Sequence, residues 1–287
     1  MRRFELVEPR TVAEACACLA DDPTAKAISG GTALLILIKH GVFVPTTLVN
    51  LRKIDGAASV VLEDGWLRIG ALTTIGEIER SELVRRRYPA FAEACHTVAN
   101  VRIRNMATVG GNLAHGDYQS DPPGALVALD ARVVIAGVAG EREMELADFL
   151  LGGYENALEA GELISAVRLP PAEPGWTEAY LKFTTRSSED RPCAGVTARL
   201  RVEGDSCVDA RLVVGAVAAT PVRVTAAEEL VRGSRPGPEV FGEMAAAVAA
   251  ALDPIDDIRG SAAYKRRVAA VLAERALAAS LARRSVA

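Results

Sequence analysis

Apolar positions set the first reading of this chain. Up to Asn50, short apolar runs alternate with segments of helical period. Phe4 to Val7, Lys26 to Ser29 and Thr47 to Asn50 read as strands. Between them Val12 to about Ala20 reads as a helix, and Ala33 to Lys39 as a short, mostly buried one. Thr11 followed three positions on by Glu14 has the signature of a capping box, while Asp21-Asp22-Pro23 and Gly41 stop the two helices. Strands and helices joined by a few residues predict a small β-α-β-α-β unit.

From Ser59 the rhythm changes. Val60 to Glu63 and Trp66 to Ile69, joined by Asp64-Gly65, predict a hairpin. Thr74 opens a helix through about Arg80, with Glu77 three residues after the cap, and another helix follows Pro89. The charged run Glu82 to Arg87 is a solvated helix end, and apolar and polar residues alternate over Val101 to Ala107. A helical stretch at Ala125 to Leu129 precedes strands at Arg132 to Ala136 and Leu163 to Arg168. Leu169 to Gly175, with three prolines and a glycine, is the linker candidate. Beyond it strands at Glu178 to Thr184, Ala194 to Val202 and Cys207 to Val217 give way to helices at Ala226 to Val231, Pro238 to Leu252 and Ala262 to about Arg284. That order predicts an α+β second domain. In the last helix Tyr264, Val268, Val271 and Leu272 are placed on one core or subunit-contact face.

Composition narrows the function classes. The 287 residues suffice for two compact domains, and the net charge of −4 offers no basic field for a nucleic acid. An aromatic content of 5 % argues against a surface that stacks sugars or single-stranded bases. Glu5, Glu8 and Arg10 interrupt the opening Met1-Arg2-Arg3-Phe4, so no secretory leader is expected. The apolar run Ala33 to Ile38 is far short of the roughly 20 residues of a membrane helix, and the expectation is a cytoplasmic protein. Cys16, Cys18, Cys95, Cys193 and Cys207 form no Cys-x-x-Cys pair, and Cys16 and Cys18 would point to different sides of their helix. Neither a metal site nor a disulfide framework is expected from them. His40, His96 and His115 lack metal-ligand spacing and read as structural.

Two glycine-pair turns are the main candidates for chemistry. Ser29-Gly30-Gly31-Thr32 lies between a strand and a helix, where glycine admits a ligand close to the backbone and free N–H groups face outward. Such a turn seats a pyrophosphate, with the Ser29 and Thr32 hydroxyls as extra donors, or is simply a tight strand-to-helix connection. Thr108-Val109-Gly110-Gly111-Asn112 has the same chemistry and adds a side-chain amide. Two such turns in one domain favour a dinucleotide with an extended pyrophosphate, and neither carries the third glycine of the Gly-x-Gly-x-x-Gly fingerprint. Asp121, in Gln119-Ser120-Asp121-Pro122-Pro123, reads as a sugar-hydroxyl acceptor or, somewhat better on local grounds, as a helix N-cap. Lys182 is a charge in an apolar strand, ordinarily a solvated ammonium. No catalytic acid, base or nucleophile is assigned.

Taken together, Ser29-Gly30-Gly31-Thr32, Gly70-Ala71-Leu72-Thr73-Thr74-Ile75, the run from Arg102 through Thr108-Val109-Gly110-Gly111-Asn112 to His115, and Ser120-Asp121-Pro122-Pro123 resemble the FAD-binding medium subunit of molybdenum hydroxylases. The likeness continues through Gly161-Glu162-Leu163-Ile164, Lys182-Phe183 and Asp190-Arg191-Pro192. The resemblance implies an α+β chain with a two-part FAD-binding domain of the vanillyl-alcohol-oxidase/PCMH-like type at 1–172, divided near residues 55 and 56, and a smaller α+β domain at 176–287. It implies that Ser29 to Ala33 and Thr108 to Asn112 hold the FAD pyrophosphate, with Leu72 and Ile103 packing near the cofactor. Asp121 would hold a sugar hydroxyl, and Ile164 and Lys182 would lie close to the flavin ring. Ala33 stands where such proteins often carry an acid. The molybdenum cofactor and [2Fe–2S] clusters would reside on two partner subunits, in a dimer of heterotrimers, and electrons would pass from the clusters through FAD to an external acceptor. The competing reading is a free-standing FAD-dependent reductase or oxidase of a related fold. It would need a substrate pocket and a proton donor, for which the sequence offers no obvious pair.

Overall fold

The computed structural model describes residues 3–284, so Met1 and Arg2 of the opening segment, and the last three residues, lie outside the described residues. The chain forms two compact units that do not follow its linear order. The first comprises the residues up to Ile78, Val101–Gly116 and Ala131–Pro170; the second comprises Glu79–Asn100, Asp117–Asp130 and the residues from Pro171 onward.

In the first unit, β1 (Glu5–Val7), β2 (Lys26–Ile28) and β3 (Thr47–Asn50) form a parallel sheet in the order β1-β3-β2. The helices Val12–Asp21 and Leu34–Lys39 connect them, as the alternating pattern predicts. Thr11 and Glu14 make the reciprocal capping box that starts the first helix. The second helix departs from expectation. Only Ile38 is buried, and Ile36 is 55 % exposed, because one turn and a half of apolar residues presents more faces than its small sheet covers.

The same unit holds an antiparallel sheet. Its strands are β4 (Val60–Glu63), β5 (Trp66–Gly70), β6 (Arg132–Gly137), β7 (Gly140–Glu145) and, after the short β8 (Leu150–Gly152) and β9 (Glu155–Asn156) pair, β10 (Leu163–Leu169). They lie in the order β4-β5-β10-β6-β7. Asp64 and Gly65 both take positive φ, as a two-residue hairpin turn between β4 and β5 requires. Ala15, Cys16 and Val49 share one core with Ala136 and Leu163, which joins the two sheets of this unit. The charged strand β7 escapes prediction because it is an exposed edge with no apolar alternation.

Arg142 of β7 grips Glu162 with two hydrogen bonds of 2.8 and 2.7 Å and also donates to the Ala157 carbonyl. The Arg142 guanidinium holds the Glu162 carboxyl below the usual carboxylate range. A depressed carboxylate contributes stability above its unfolded value of about 4.3 and loses it as pH falls through its folded value. We expect an Arg142–Glu162 double-mutant cycle in urea to give about 0.5–1 kcal/mol of coupling at neutral pH, and that coupling to fade as acidification protonates Glu162.

The second unit is a four-stranded antiparallel sheet with helices packed on it. Its strands β11 (Trp176–Phe183), β12 (Ala194–Glu203), β13 (Ser206–Gly215) and β14 (Val222–Arg223) lie in chain order. Alternate residues Ala194, Val196, Ala198 and Leu200 of β12 meet Phe241, Met244 and Val248 of the helix Pro238–Ala251 and Leu272 and Leu277 of the helix Ala262–Arg283 in one core. The face expected of that last helix holds in part, since Val268 and Leu272 pack in this core. Tyr264 and Val271 are 43 % and 46 % exposed, whereas Lys265, Ala269, Ala273 and Ala276 point inward. Small residues share the seam with Leu272 and Leu277 and let the helix lie close on the sheet.

Candidate cofactor site

The first glycine turn follows β2 directly. Gly31 takes φ +70°, which turns the chain from the strand into the helix Leu34–Lys39. The backbone N–H groups of Gly30, Gly31, Thr32 and Ala33 donate to no acceptor among the described residues. Successive outward N–H groups of this kind form an anion-binding concavity. The turn carries no acidic side chain, so its donor set suits a diphosphate.

The second turn is built differently. Val109–His115 is a helix whose N-cap is Thr108. Val109 N donates to the Thr73 carbonyl at 3.0 Å, Gly110 N to the Ala71 carbonyl at 2.9 Å, and Asn112 N to the Thr108 carbonyl at 2.9 Å. Gly111 N donates to Thr108 Oγ1 at 3.1 Å. The amides that sequence reasoning offered to a phosphate are thus engaged within the protein. A Cβ on Gly110 would come within 2.6 Å of the Ala71 Cβ, so this glycine serves close packing against the Gly70-Ala71 segment.

The two turns touch. A Cβ on Gly30 would sit 1.9 Å from the Met106 carbonyl oxygen, and Ser29 Oγ lies 2.8 Å from Thr108 Oγ1. Sequence reasoning identified both turns but not that one is seated on the other. The segment Val101–Arg104, with its alternating polarity, is a short helix leading into that seat and not a strand. Leu72 packs at the edge of the core around Ala15 and Val49. Ile103 is half-buried in the short helix, and Ile164 is buried in β10, opposite Ile135 of β6.

Asp121 and Lys182 belong to the second unit, and the structure overturns the local reading of each. Ser120, not Asp121, occupies the N-cap position of the helix Asp121–Ala128. The Asp121 carboxylate is buried, with Oδ1 accepting from Tyr180 OH at 2.6 Å and Oδ2 from Lys182 Nζ at 3.0 Å. Both oxygens therefore have protein partners. The Lys182 ammonium is not in water. Its side chain is 6 % exposed, and Nζ also donates to the Thr97 carbonyl at 2.8 Å. Burial pushes the Asp121 carboxyl up, and the Lys182 charge and Tyr180 hydroxyl pull it back. The Tyr180 hydroxyl is held far above its ordinary value by burial and the Asp121 charge. Tyr180 was missed, although its spacing of two from Lys182 puts both on one face of β11. The five cysteines are all free thiols, and no helix of the described residues is long and apolar enough to cross a membrane.

Comparison with known proteins now fixes the class. Residues 2–172 match the family model of the FAD-binding domain in molybdopterin dehydrogenase, and residues 179–280 match the CO dehydrogenase flavoprotein C-terminal domain. The chain belongs to the FAD-binding family of molybdopterin dehydrogenases, a class of oxidoreductase flavoproteins. More particularly, it resembles medium subunits over nearly its whole length. It is 32 % identical over 282 residues to the carbon monoxide dehydrogenase medium chain of Hydrogenophaga pseudoflava, covering 98 % of each chain. It is 32 % identical over 269 residues to the nicotine 6-hydroxylase medium subunit of Paenarthrobacter nicotinovorans, covering 94 % of each. Among solved structures, carbon monoxide dehydrogenase from Hydrogenophaga pseudoflava lacking the Mo-pyranopterin moiety of its molybdenum cofactor superimposes with a TM-score of 0.94 at 34 % identity, covering 98 % of both chains.

Proposed function

We propose that this chain is the FAD-binding, electron-transferring subunit of a heteromeric molybdenum hydroxylase. The observation that carries the reading is the run of N–H groups from Gly30 to Ala33 that find no acceptor among the described residues, in a chain of the FAD-binding family. In this proposal Ser29 to Ala33 hold the pyrophosphate by backbone donation, and Thr108 to Asn112 brace that turn from below. Leu72, Ile103 and Ile164 supply apolar surface around the first turn's end of the unit. FAD, when bound, supplies reversible one- and two-electron chemistry. The chain's own task is to bind and orient it, and no acid or base on this chain is needed.

Lys182 and Asp121 enter as a buried ion pair of the second unit. An iron–sulfur subunit would deliver electrons to FAD and a molybdopterin subunit would oxidise the substrate, the three assembling as a dimer of heterotrimers. An external acceptor would take the electrons onward. Five free thiols favour a reducing cytoplasmic setting.

The test is purification of the complex that this chain pulls from its native host. We expect a flavin spectrum with about one FAD per copy of this chain, as one binding turn per chain requires, together with iron, molybdenum and two further polypeptides. A colourless chain that ignores added FAD would sink the proposal. So would a lone yellow protein that turns over substrate unaided.

A further inference from the structure

The loop between the helices Pro238–Ala251 and Ala262–Arg283 is held tightly, yet it shows its largest apolar side chains to water. Ile258 is 76 % exposed and Ile255 59 %. Asp257 and Gly260 exchange two backbone hydrogen bonds of 3.1 Å, so Ile258 and Arg259 are the corners of a two-residue turn. Lys265 is fully buried, and its ammonium reaches into this loop, 2.8 Å from the Ile255 carbonyl and 2.8 Å from Asp257 Oδ2. Gln119 Nε2 donates to the same Asp257 oxygen at 3.0 Å, and Arg266 Nε to the Leu252 carbonyl at 3.1 Å. A buried ammonium is destabilising unless it is paired and hydrogen-bonded, and here the loop supplies both kinds of partner. The tip is therefore preorganised, with no freedom to fold its isoleucines inward. Tyr264 extends the apolar surface beside it, since a Cβ on Gly260 would fall 2.7 Å from the Tyr264 Cδ1. Between the isoleucines, Asp256 Oδ1 accepts from Ala262 N, and Oδ2 has no partner among the described residues.

We propose that the tip from Ile255 to Ile258 is a docking anchor for a partner subunit, one that offers an apolar pocket with a lysine or arginine beside it for Asp256. This rests on the heteromeric reading above and adds to it a surface and the chemistry of what covers that surface. A fixed anchor loses little conformational freedom on docking, which favours the contact. A second copy of this chain is a poor occupant. Docking about a two-fold axis would set the Asp256 carboxylates of the two tips against each other, and like charges oppose such a contact. A partner of different sequence can place a cation there instead.

The test uses the full chain, free and in the complex purified from its native host. Ile258→Cys places a thiol at the tip, while of the native thiols only Cys18 is not buried. A maleimide should modify the new thiol readily in the free chain and at least about tenfold more slowly in the complex, because a docked anchor is shielded from water. Ile258→Asp should raise the dissociation constant of this chain for its partner polypeptides, read by sedimentation on dilution, at least about tenfold. Its melting temperature and FAD content should stay unchanged, because the tip is exposed. Asp256→Asn keeps the acceptor for Ala262 N and should make association slower and less dependent on salt. Equal labelling of the free chain and the complex would overturn the inference, as would an Ile258→Asp chain that assembles with unchanged affinity. Protection of the free chain that rises with its own concentration, or with added phosphatidylcholine vesicles, would overturn it in favour of a second copy or a lipid surface. A chain that captures no iron- or molybdenum-bearing partner would bring down the functional reading and this inference with it. A complete complex with an open tip would bring down the inference alone.

Discussion

Replacing Lys182 with methionine is expected to cost about 3–5 kcal/mol of folding stability, the range for breaking one side of a buried ion pair. The magnitude follows from what the substitution leaves behind. Asp121 is 5 % exposed and would keep the Tyr180 hydroxyl and the Thr97 side chain, but its charge would no longer be opposed by the ammonium at 3.0 Å. The Thr97 carbonyl would lose its donor as well. Methionine matches the length and apolar stem of lysine, so packing changes little and the electrostatic loss dominates. Asp121→Asn on the same background removes the stranded charge. The double variant should therefore recover a substantial part of the loss, on the order of 1–3 kcal/mol. Urea denaturation of the three variants measures this. A Lys182→Met cost below about 1 kcal/mol would mean that the ammonium is solvated and the pair incidental. Any change in FAD affinity or potential in this variant has to be judged beside its loss of stability, so Lys182→Met is a poor probe of flavin electrostatics.

Local chemistry in this sequence is legible where it is periodic and contiguous. The Thr11–Glu14 and Thr74–Glu77 caps form as their spacing predicts, because both partners lie within one helical turn. The first sheet was readable because its strands are apolar and its connections short. Pairings distant in sequence were not readable. The Asp121–Lys182 bond spans 61 positions and the Ser29–Thr108 bond 79, and nothing local distinguishes a buried lysine on a strand from a solvated one. The compact units were hidden for the same reason, since Glu79–Asn100 and Asp117–Asp130 leave and rejoin the first unit's course without any change in composition. Glycine was legible as glycine but not in its purpose. At Gly31 the reason is conformational, with φ at +70°; at Gly30 and Gly110 it is room for neighbouring backbone, which a single sequence does not distinguish from room for a ligand.

That distinction gives the second large effect. Gly30→Ala is expected to cost at least about 1–3 kcal/mol of stability, as overpacking of a closed site does. It should also leave the chain with FAD affinity at least about tenfold weaker, since the donor row and the hydroxyl pair lose their alignment together. The added Cβ would stand 1.9 Å from the Met106 carbonyl oxygen, 2.7 Å from its carbon and 3.0 Å from the Ala107 Cα. All three are backbone atoms, so no rotamer change relieves the clash, and the first turn has to lift off the second. Lifting it separates Ser29 from Thr108 and disperses the Gly30–Ala33 amides from the geometry that a diphosphate would meet. Gly41→Ala is the matched control. Gly41 has φ +72° with nothing within 4 Å of a new Cβ, so alanine there carries the left-handed strain of about 1–2 kcal/mol and no clash. Melting curves and FAD titrations of the two variants separate the contributions. Both should be destabilised, but only Gly30→Ala should lose the flavin. Equal FAD affinities in the two variants would show that the seating of the first turn on Met106 does not govern the cofactor site.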